Sequence, residues 1–79
     1  MRPKAMDVKI LEDYKLEILF NNSEKKIFDV KPYFKFKKFQ ELRDIAKFNT
    51  VRIAWLSIEW DNGIDICPDE LYNNSKVEE

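Results

Sequence analysis

The sequence predicts a single α+β domain: a three-stranded antiparallel meander, an amphipathic helix packed on the sheet, then a C-terminal β-hairpin and a short helical turn. Two observations predict this class. Apolar residues alternate with charged ones as far as Val30, and from Tyr33 to Asn49 they recur every three or four residues. The period therefore changes from that of a strand to that of a helix. Further on, Asn62-Gly63 stands between apolar residues, which is the strongest short hairpin signal.

The meander is predicted from three alternating segments, at residues 6–10, 14–20 and 27–30. Turn-forming residues separate them, Glu12-Asp13 first and Asn21-Asn22-Ser23 second. Such alternation gives a sheet one apolar face and one charged face. We therefore expect a layer to cover the apolar face.

The covering layer is predicted to be the amphipathic helix after Pro32, a residue that cannot continue the third strand. Its apolar positions step by three and four, which is the period of one helix face. We expect this helix to be interrupted near Asp44. The apolar face consists of Phe36, Phe39, Leu42 and Ala46.

In the C-terminal half, the parity of the apolar residues changes between Ile53 and Ile58. A strand cannot change parity without a bulge or a reversal. We place a reversal at residues 54–56, which puts Trp55 at a loop tip. The second hairpin turn is the motif Trp60, Asn62, Gly63 and Asp65, and Pro68 suits the first position of a short helix.

The domain is predicted to span residues 6–72, with flexible termini at 1–5 and 73–79. The residues that carry the strongest pattern resemble a bacterial family, the domain of unknown function 2442 (DUF2442). The resemblance rests on segments 8–16 and 26–32, on the large apolar residues Phe39, Leu42 and Phe48, and on segment 58–66 followed by Pro68, Leu71 and Tyr72.

The resemblance implies a small bacterial α+β protein and supplies no catalytic residues. It also implies a neighbour, because many members are encoded beside another small protein in pairs interpreted as toxin–antitoxin-like. Some relatives carry a helix-turn-helix domain after this one. We expect none here, since the chain stops at Glu79.

Composition excludes several kinds of chemistry. There is no histidine, which removes the usual general base and the usual zinc ligand. Cys67 is the only cysteine, so no internal disulfide can form, as is typical of a reducing cytoplasm. No apolar run approaches the length of a membrane span, and the N-terminus does not resemble a signal peptide. We therefore predict a cytoplasmic protein that is not an enzyme, with no cofactor.

Two features leave alternatives open. Glu59, Asp61 and Asp65 could gather at one end of the sheet, where they could do acid–base work or hold a metal ion. In the structural interpretation, Asp61 forms the turn, Asp65 bonds to the backbone near the reversal, and Asp69 and Glu70 favour a helix N-terminus. We favour the structural interpretation and predict no metal. Cys67 could be a nucleophile beside a helix start, but we predict a buried, inert thiol.

Charge is unevenly distributed along the chain. The net charge is −1, but residues 25–52 carry +6 and residues 53–79 carry −6. Basic residues interleaved with aromatics suit RNA or single-stranded DNA. The sequence pI near 5.5 argues against a dedicated nucleic-acid binder. Helical spacing also assigns Phe36 and Phe39 to the core.

We therefore predict a protein-interaction module that binds a small protein partner. The predicted partner-binding residues are Tyr33, Lys37, Lys38, Arg43 and Trp55. Tyr33, Phe34 and Trp55 are the candidate exposed aromatics. A homodimer is also expected to be possible through an edge strand, either 6–11 or 27–30. The alternative function is a small nucleic-acid-binding regulator that uses the basic segment 31–52.

Overall fold

The computed structural model describes residues 3–77 and contains two antiparallel sheets. The first has the order β1 (Ala5–Ile10), β2 (Lys15–Phe20), β3 (Lys25–Asp29) and β7 (Lys76–Val77). The second is formed by β4 (Arg52–Ala54), β5 (Ser57–Glu59) and β6 (Asp65–Ile66). Two 3₁₀ helices (Lys31–Lys35 and Lys37–Arg43) and α1 (Ile45–Phe48) connect the sheets, and α2 (Pro68–Asn74) precedes β7. The predicted α+β class and its order of elements are confirmed.

The core lies between the sheets and the helical segments. In β2, alternation sends Leu16, Ile18 and Phe20 inward, and all three are essentially inaccessible to solvent. Trp60 is the largest fully buried side chain, and its ring meets the rings of Phe39 and Phe48. In the described part of the chain, residues 3–77, the buried apolar residues are Ala5, Leu16, Ile18, Phe20, Phe28, Val30, Phe39, Leu42, Phe48, Ile58, Trp60, Ile66 and Leu71.

The segment predicted as one amphipathic helix is divided into three short pieces. It is interrupted at Asp44, as expected, and also at Phe36; both residues have extended backbone. Asp44 then caps α1, because its side chain accepts a hydrogen bond from the Ala46 N–H at 3.0 Å. Most of the segment is therefore 3₁₀ rather than α.

These breaks change which side chains face inward. Phe39 and Leu42 are three residues apart, one 3₁₀ turn, and both are buried as predicted. Phe36 is 48% exposed and Ala46 is also exposed, so their assignment to the core was wrong. Phe36 leaves the buried row because its extended backbone ends the first 3₁₀ helix.

The termini are more structured than the sequence pattern predicts. Ala5 is buried at the start of β1, and α2 extends the predicted helical turn to Asn74. β7 then pairs with β3, with Lys26 opposite Val77 and Ile27 opposite Lys76. The expected flexible segments 1–5 and 73–79 therefore include ordered residues, while residues 1–2 and 78–79 lie outside the described part.

Within residues 3–77, none of the helices has the length and apolar character needed to cross a membrane.

Candidate functional site

The most exposed large apolar residue of the described chain lies at the turn between β4 and β5. Ala54 pairs with Ser57, and the two residues between them form the turn. Trp55 is 89% exposed and Leu56 is 50% exposed. The prediction that Trp55 lies at a loop tip is therefore confirmed. Leu56 and the tryptophan together are called the hairpin tip.

The hairpin tip has an unfavourable backbone conformation for its residues. Trp55 has φ 52° and Leu56 has φ 70°, so both lie in the left-handed region. A two-residue hairpin turn with positive φ at both positions favours Asn-Gly, and each large L-residue there costs about 1–2 kcal/mol. The hairpin tip is therefore strained, while the Trp55 side chain is almost fully exposed and the Leu56 side chain is half exposed.

The other hairpin of the same sheet has the expected chemistry. The Trp60 N–H donates to the Ile64 carbonyl oxygen at 2.8 Å, and the Gly63 N–H donates to the Trp60 carbonyl oxygen at 3.0 Å. Gly63 has φ 89°, and the Asn62 side chain accepts from the Ile64 N–H at 3.1 Å. Asp65 lies on β6, exposed and opposite Glu59, rather than bonded within the turn.

The first strand runs beside the hairpin tip. The Ala5 N–H donates to the Leu56 carbonyl oxygen at 3.2 Å, which joins β1 to the second sheet. The next residue, Met6, is 61% exposed. An apolar side chain of β1 is thus exposed next to the point where the two sheets meet.

The predicted basic partner-binding residues are exposed but do not form one group with Trp55. In the 3₁₀ helix Lys37–Arg43, Lys37 and Arg43 share a row because residues three apart eclipse one another, whereas Lys38 lies on the next row. Trp55 is too exposed to pack against any of them. Trp55 therefore does not pack with the basic residues in this structure.

Tyr33 has a mainly structural position. It is half-buried, its hydroxyl donates to Glu70 Oε2 at 2.5 Å, and the Asn74 side-chain amide donates to that hydroxyl at 3.0 Å. Burial is the larger cause and the hydrogen bond to Glu70 the smaller one, and both raise the pKa of Tyr33 above its ordinary value. Tyr33 thus ties the first 3₁₀ helix to α2. Phe34 is also half-buried, with its ring 5.1 Å from that of Tyr14.

An open cleft of about 320 Å³ lies beside Tyr33. Phe36 lines it with half of its side chain exposed, and the Lys35 ammonium lies 5.3 Å from the Phe36 ring centroid. The sequence pattern missed this exposed aromatic because it assumed one continuous helix. The cleft is lined by Tyr33, Phe36, Lys38, Phe39, Asp65, Ile66 and Glu70.

Several bases of the segment 31–52 are already paired with acids. Lys31 forms an ion pair with Asp13 and lies 3.6 Å from Asp29, and the hydrogen bond to Asp13 raises the Lys31 pKa. Lys47 lies 3.4 Å from Glu41. These contacts neutralise part of the predicted basic surface.

The candidate carboxylate cluster at the end of the sheet is also divided. Glu59 binds Arg52 at 2.6 Å, and this hydrogen bond raises the pKa of the guanidinium. Within residues 3–77, no three acidic, cysteine or histidine residues are grouped closely enough to hold a metal ion. The geometry therefore supplies no cation site from Glu59, Asp61 and Asp65.

Cys67 is exposed, so the prediction of a buried thiol was wrong. The reason is alternation: Ile66 faces the core on β6, and the next residue therefore points outward. Cys67 is the residue that precedes the first turn of α2, and its side chain makes no capping hydrogen bond.

Within residues 3–77, the first sheet has its longest open edge at β1. The edge at β3, predicted as one of two candidates, is covered by β7 only at Lys26 and Ile27. β1 forms a strand ladder only with β2, although β4 and β5 pack close to it and the Ala5 N–H donates to the Leu56 carbonyl oxygen. On this strand, the Val8 N–H donates to the Asp7 carboxylate at 2.9 Å and not to a neighbouring strand.

The comparison with known proteins gives a family but no activity. No curated protein sequence and no solved structure shows a significant match to the chain. The family model described as protein of unknown function (DUF2442) matches residues 5–77, which is nearly the whole chain and every element of both sheets. The match also covers the hairpin tip and β7. The chain therefore belongs to the DUF2442 family.

Proposed function

We propose that this protein is a non-enzymatic interaction module that binds another small protein through the hairpin tip. The observation that carries the proposal is the combination of strain and exposure at Trp55 and Leu56. Backbone strain that the packing of the chain does not reward is concentrated at binding sites in proteins. Tryptophan is also the residue most enriched among the anchors of protein interfaces.

A purely structural role explains the hairpin tip poorly. A tryptophan that packs in the core gives stability by losing contact with water, but Trp55 keeps 89% of its surface exposed. Asn-Gly at the same two positions would form the turn with less strain. The chain uses Asn62-Gly63 in its other hairpin, so the choice of Trp-Leu here is not imposed by the sheet.

The proposed partner is a small protein encoded beside this one, as in a two-gene, toxin–antitoxin-like pair. The protein has the size for such a role, with 79 residues. An exposed apolar anchor beside an open strand fits a protein surface better than a small metabolite, because the hairpin tip is convex and small ligands bind in concave sites.

The test compares the wild-type protein with a turn variant, Trp55→Asn with Leu56→Gly. This variant removes both apolar side chains and keeps a two-residue turn that suits positive φ. Tagged proteins are purified gently from the source cells, and companions are quantified by mass spectrometry. We expect one stoichiometric small protein with the wild type and its loss with the turn variant.

The matched control is Ile45→Gln, which removes a different exposed apolar side chain (53% exposed). Ile45 is the first residue of α1. The next two residues, Ala46 and Lys47, line a cleft together with Asp61. Asp61 follows β5, at the end of the second sheet opposite to the hairpin tip. Retention of the companion by this control, together with its loss from the turn variant, supports the proposal. Equal recovery with all three proteins would overturn it.

A second candidate function is nucleic-acid binding, and one observation favours it. Phe36 is half exposed between Lys35 and Lys38, which is the arrangement of a base-stacking residue beside phosphate-binding cations. The test measures binding of labelled single-stranded RNA by anisotropy over a range of salt. Affinity that falls steeply with salt and is lost in K35E/K37E/K38E, but not in the control K9E/K25E/K76E, would favour this function.

A further inference from the structure

The open edge of β1 has a row of backbone groups that no other described strand pairs with. The Leu11 N–H donates to the Lys15 carbonyl oxygen at 2.9 Å, so the backbone of Leu11 faces β2. In an antiparallel pair, successive residues point their backbone groups alternately toward and away from the partner strand. The backbone N–H and C=O groups of Val8 and Ile10 therefore point away from β2, toward the open edge of the sheet.

The limits of this edge are also defined. At its start, the Ala5 N–H is already occupied by the Leu56 carbonyl oxygen. At its end, the chain turns away at Glu12 and Asp13, the latter with φ 63°. The segment that another strand can reach is therefore 6–10, within β1, and this is long enough for a short antiparallel pair. The register of β1 on β2 shifts between Ala5 and Asp7, so the regular alternation within this segment runs from Asp7 to Ile10.

The sequence of this segment is complementary to itself. It reads Met6-Asp7-Val8-Lys9-Ile10, with a negative and a positive residue on either side of Val8. If two copies pair antiparallel about Val8, Asp7 of each copy lies opposite Lys9 of the other. A shift that centres the pair on Asp7 or on Lys9 sets like charges opposite each other, which is destabilising.

The same register also pairs apolar residues. Met6 of one copy lies opposite Ile10 of the other, and these side chains are 61% and 40% exposed in the single chain. In the single chain, the Val8 N–H is held by the Asp7 carboxylate. Pairing of two Val8 backbones would release that carboxylate for Lys9 of the second copy.

From this geometry we infer that the protein forms a two-fold symmetric homodimer through β1, centred on Val8 and held in register by reciprocal Asp7–Lys9 pairs. Such an interface uses the same surface on both copies, as two-fold dimers require. It joins two four-stranded sheets into one and closes the remaining long edge. The dimer interface begins at Met6, next to Ala5, which is bonded to Leu56, and it does not include the side chains of the hairpin tip.

The first test reverses the charges of Asp7 and Lys9 singly and together. The molar mass of each protein is measured by light scattering at protein concentrations from micromolar to millimolar. We expect the wild type to approach twice 9.6 kDa as concentration rises. D7K and K9D each place like charges opposite each other, so each raises the dimer dissociation constant at least about fivefold. The double variant D7K/K9D restores opposite charges and recovers the dimer. E12K is the control, because it reverses a neighbouring exposed acid outside the paired segment.

The second test reads the register directly. In a Cys67→Ser background, D7C and K9C proteins are prepared separately and mixed under mild oxidation. Residues that face each other without mutual hydrogen bonds have Cα atoms about 4.5 Å apart, which a disulfide can span. We expect a D7C–K9C cross-link that clearly exceeds either self-link. A wild type that stays monomeric, a dimer unaffected by the single charge reversals, or equal cross-linking in all mixtures would each overturn the inference.

Discussion

The indole Nε1–H of Trp60 donates to the Phe48 carbonyl oxygen at 3.1 Å, inside the core. Trp60 directly precedes the Asn-Gly turn and Phe48 ends α1, so this bond joins the second sheet to the helical segment. Both side chains are fully buried. The bond therefore gives the helical segment, with its three short pieces, a fixed attachment to the sheet.

Replacing Trp60 with Phe is expected to lower the free energy of unfolding by about 2–4 kcal/mol. The change removes the indole donor, leaves the Phe48 carbonyl oxygen with the longer bond from the Val51 N–H at 3.4 Å, and opens a cavity beside Phe39. The measurement is urea denaturation followed by circular dichroism. The control is Trp55→Phe, the same substitution at an exposed site, for which we expect a change below about 0.5 kcal/mol. Equal effects of the two substitutions would contradict the assignment of Trp60 to the core.

Lys26 is a base on β3 whose side chain is buried. It is 9% exposed, and its ammonium donates to the Tyr72 carbonyl oxygen at 3.1 Å and lies 3.7 Å from the Tyr72 ring centroid. We expect Lys26→Met to destabilise the protein by about 1–2 kcal/mol, because it removes a charged hydrogen bond and a cation–π contact. Lys25→Met is the control, since Lys25 is exposed on the same strand. Denaturation curves that coincide for the two variants would show that Lys26 does not fix α2.

Acid is expected to weaken the protein through Asp13 and Glu24. Hydrogen bonds from Lys31 lower the pKa of Asp13 below 3.8, and hydrogen bonds from Tyr72 and Asn22 lower the pKa of Glu24 below 4.5. A carboxylate whose pKa is lower in the folded state stabilises the fold above its unfolded pKa, and this stabilisation is lost as pH falls through the folded pKa. The melting temperature should therefore fall between about pH 5 and pH 2.

The variant D13N/E24Q separates this effect from general acid unfolding. It lacks both titrating groups, so we expect it to melt below the wild type at pH 6 and to approach the wild type as the pH falls toward 2. Melting temperatures measured by differential scanning fluorimetry across this range give the comparison. A difference between the two proteins that stays constant with pH would contradict the role of these carboxylates.

Local signals predicted the parts of the fold that depend on neighbours in sequence. Asn62-Gly63 forms its turn from its own backbone preferences, and the parity change before Ile58 located Trp55 correctly. Phe36 was misplaced because helix periodicity does not distinguish an α-helix from two 3₁₀ segments joined by an extended residue. β7 could not be predicted, since two residues pair with β3 only through the tertiary fold.

The candidate site was predictable only where its features depend on neighbouring residues in the sequence. Exposure of Trp55 follows from its place at a turn, whereas the strain at the hairpin tip depends on the backbone angles of the folded hairpin. The alignment of Lys37 with Arg43 on one row depends on the 3₁₀ period of three. Neither property is visible in the order of residue types.

We propose that the backbone strain of the hairpin tip serves the binding of a partner and does not stabilise the fold. The most direct measurement is the free energy of unfolding of the turn variant, Trp55→Asn with Leu56→Gly, compared with the wild type. We expect the free energy of unfolding of the turn variant to be higher by about 1–2 kcal/mol, because Asn and Gly adopt left-handed backbone more easily and little packing is lost. A turn variant less stable than the wild type would contradict the claim, since Trp55 and Leu56 would then be needed to hold the fold itself.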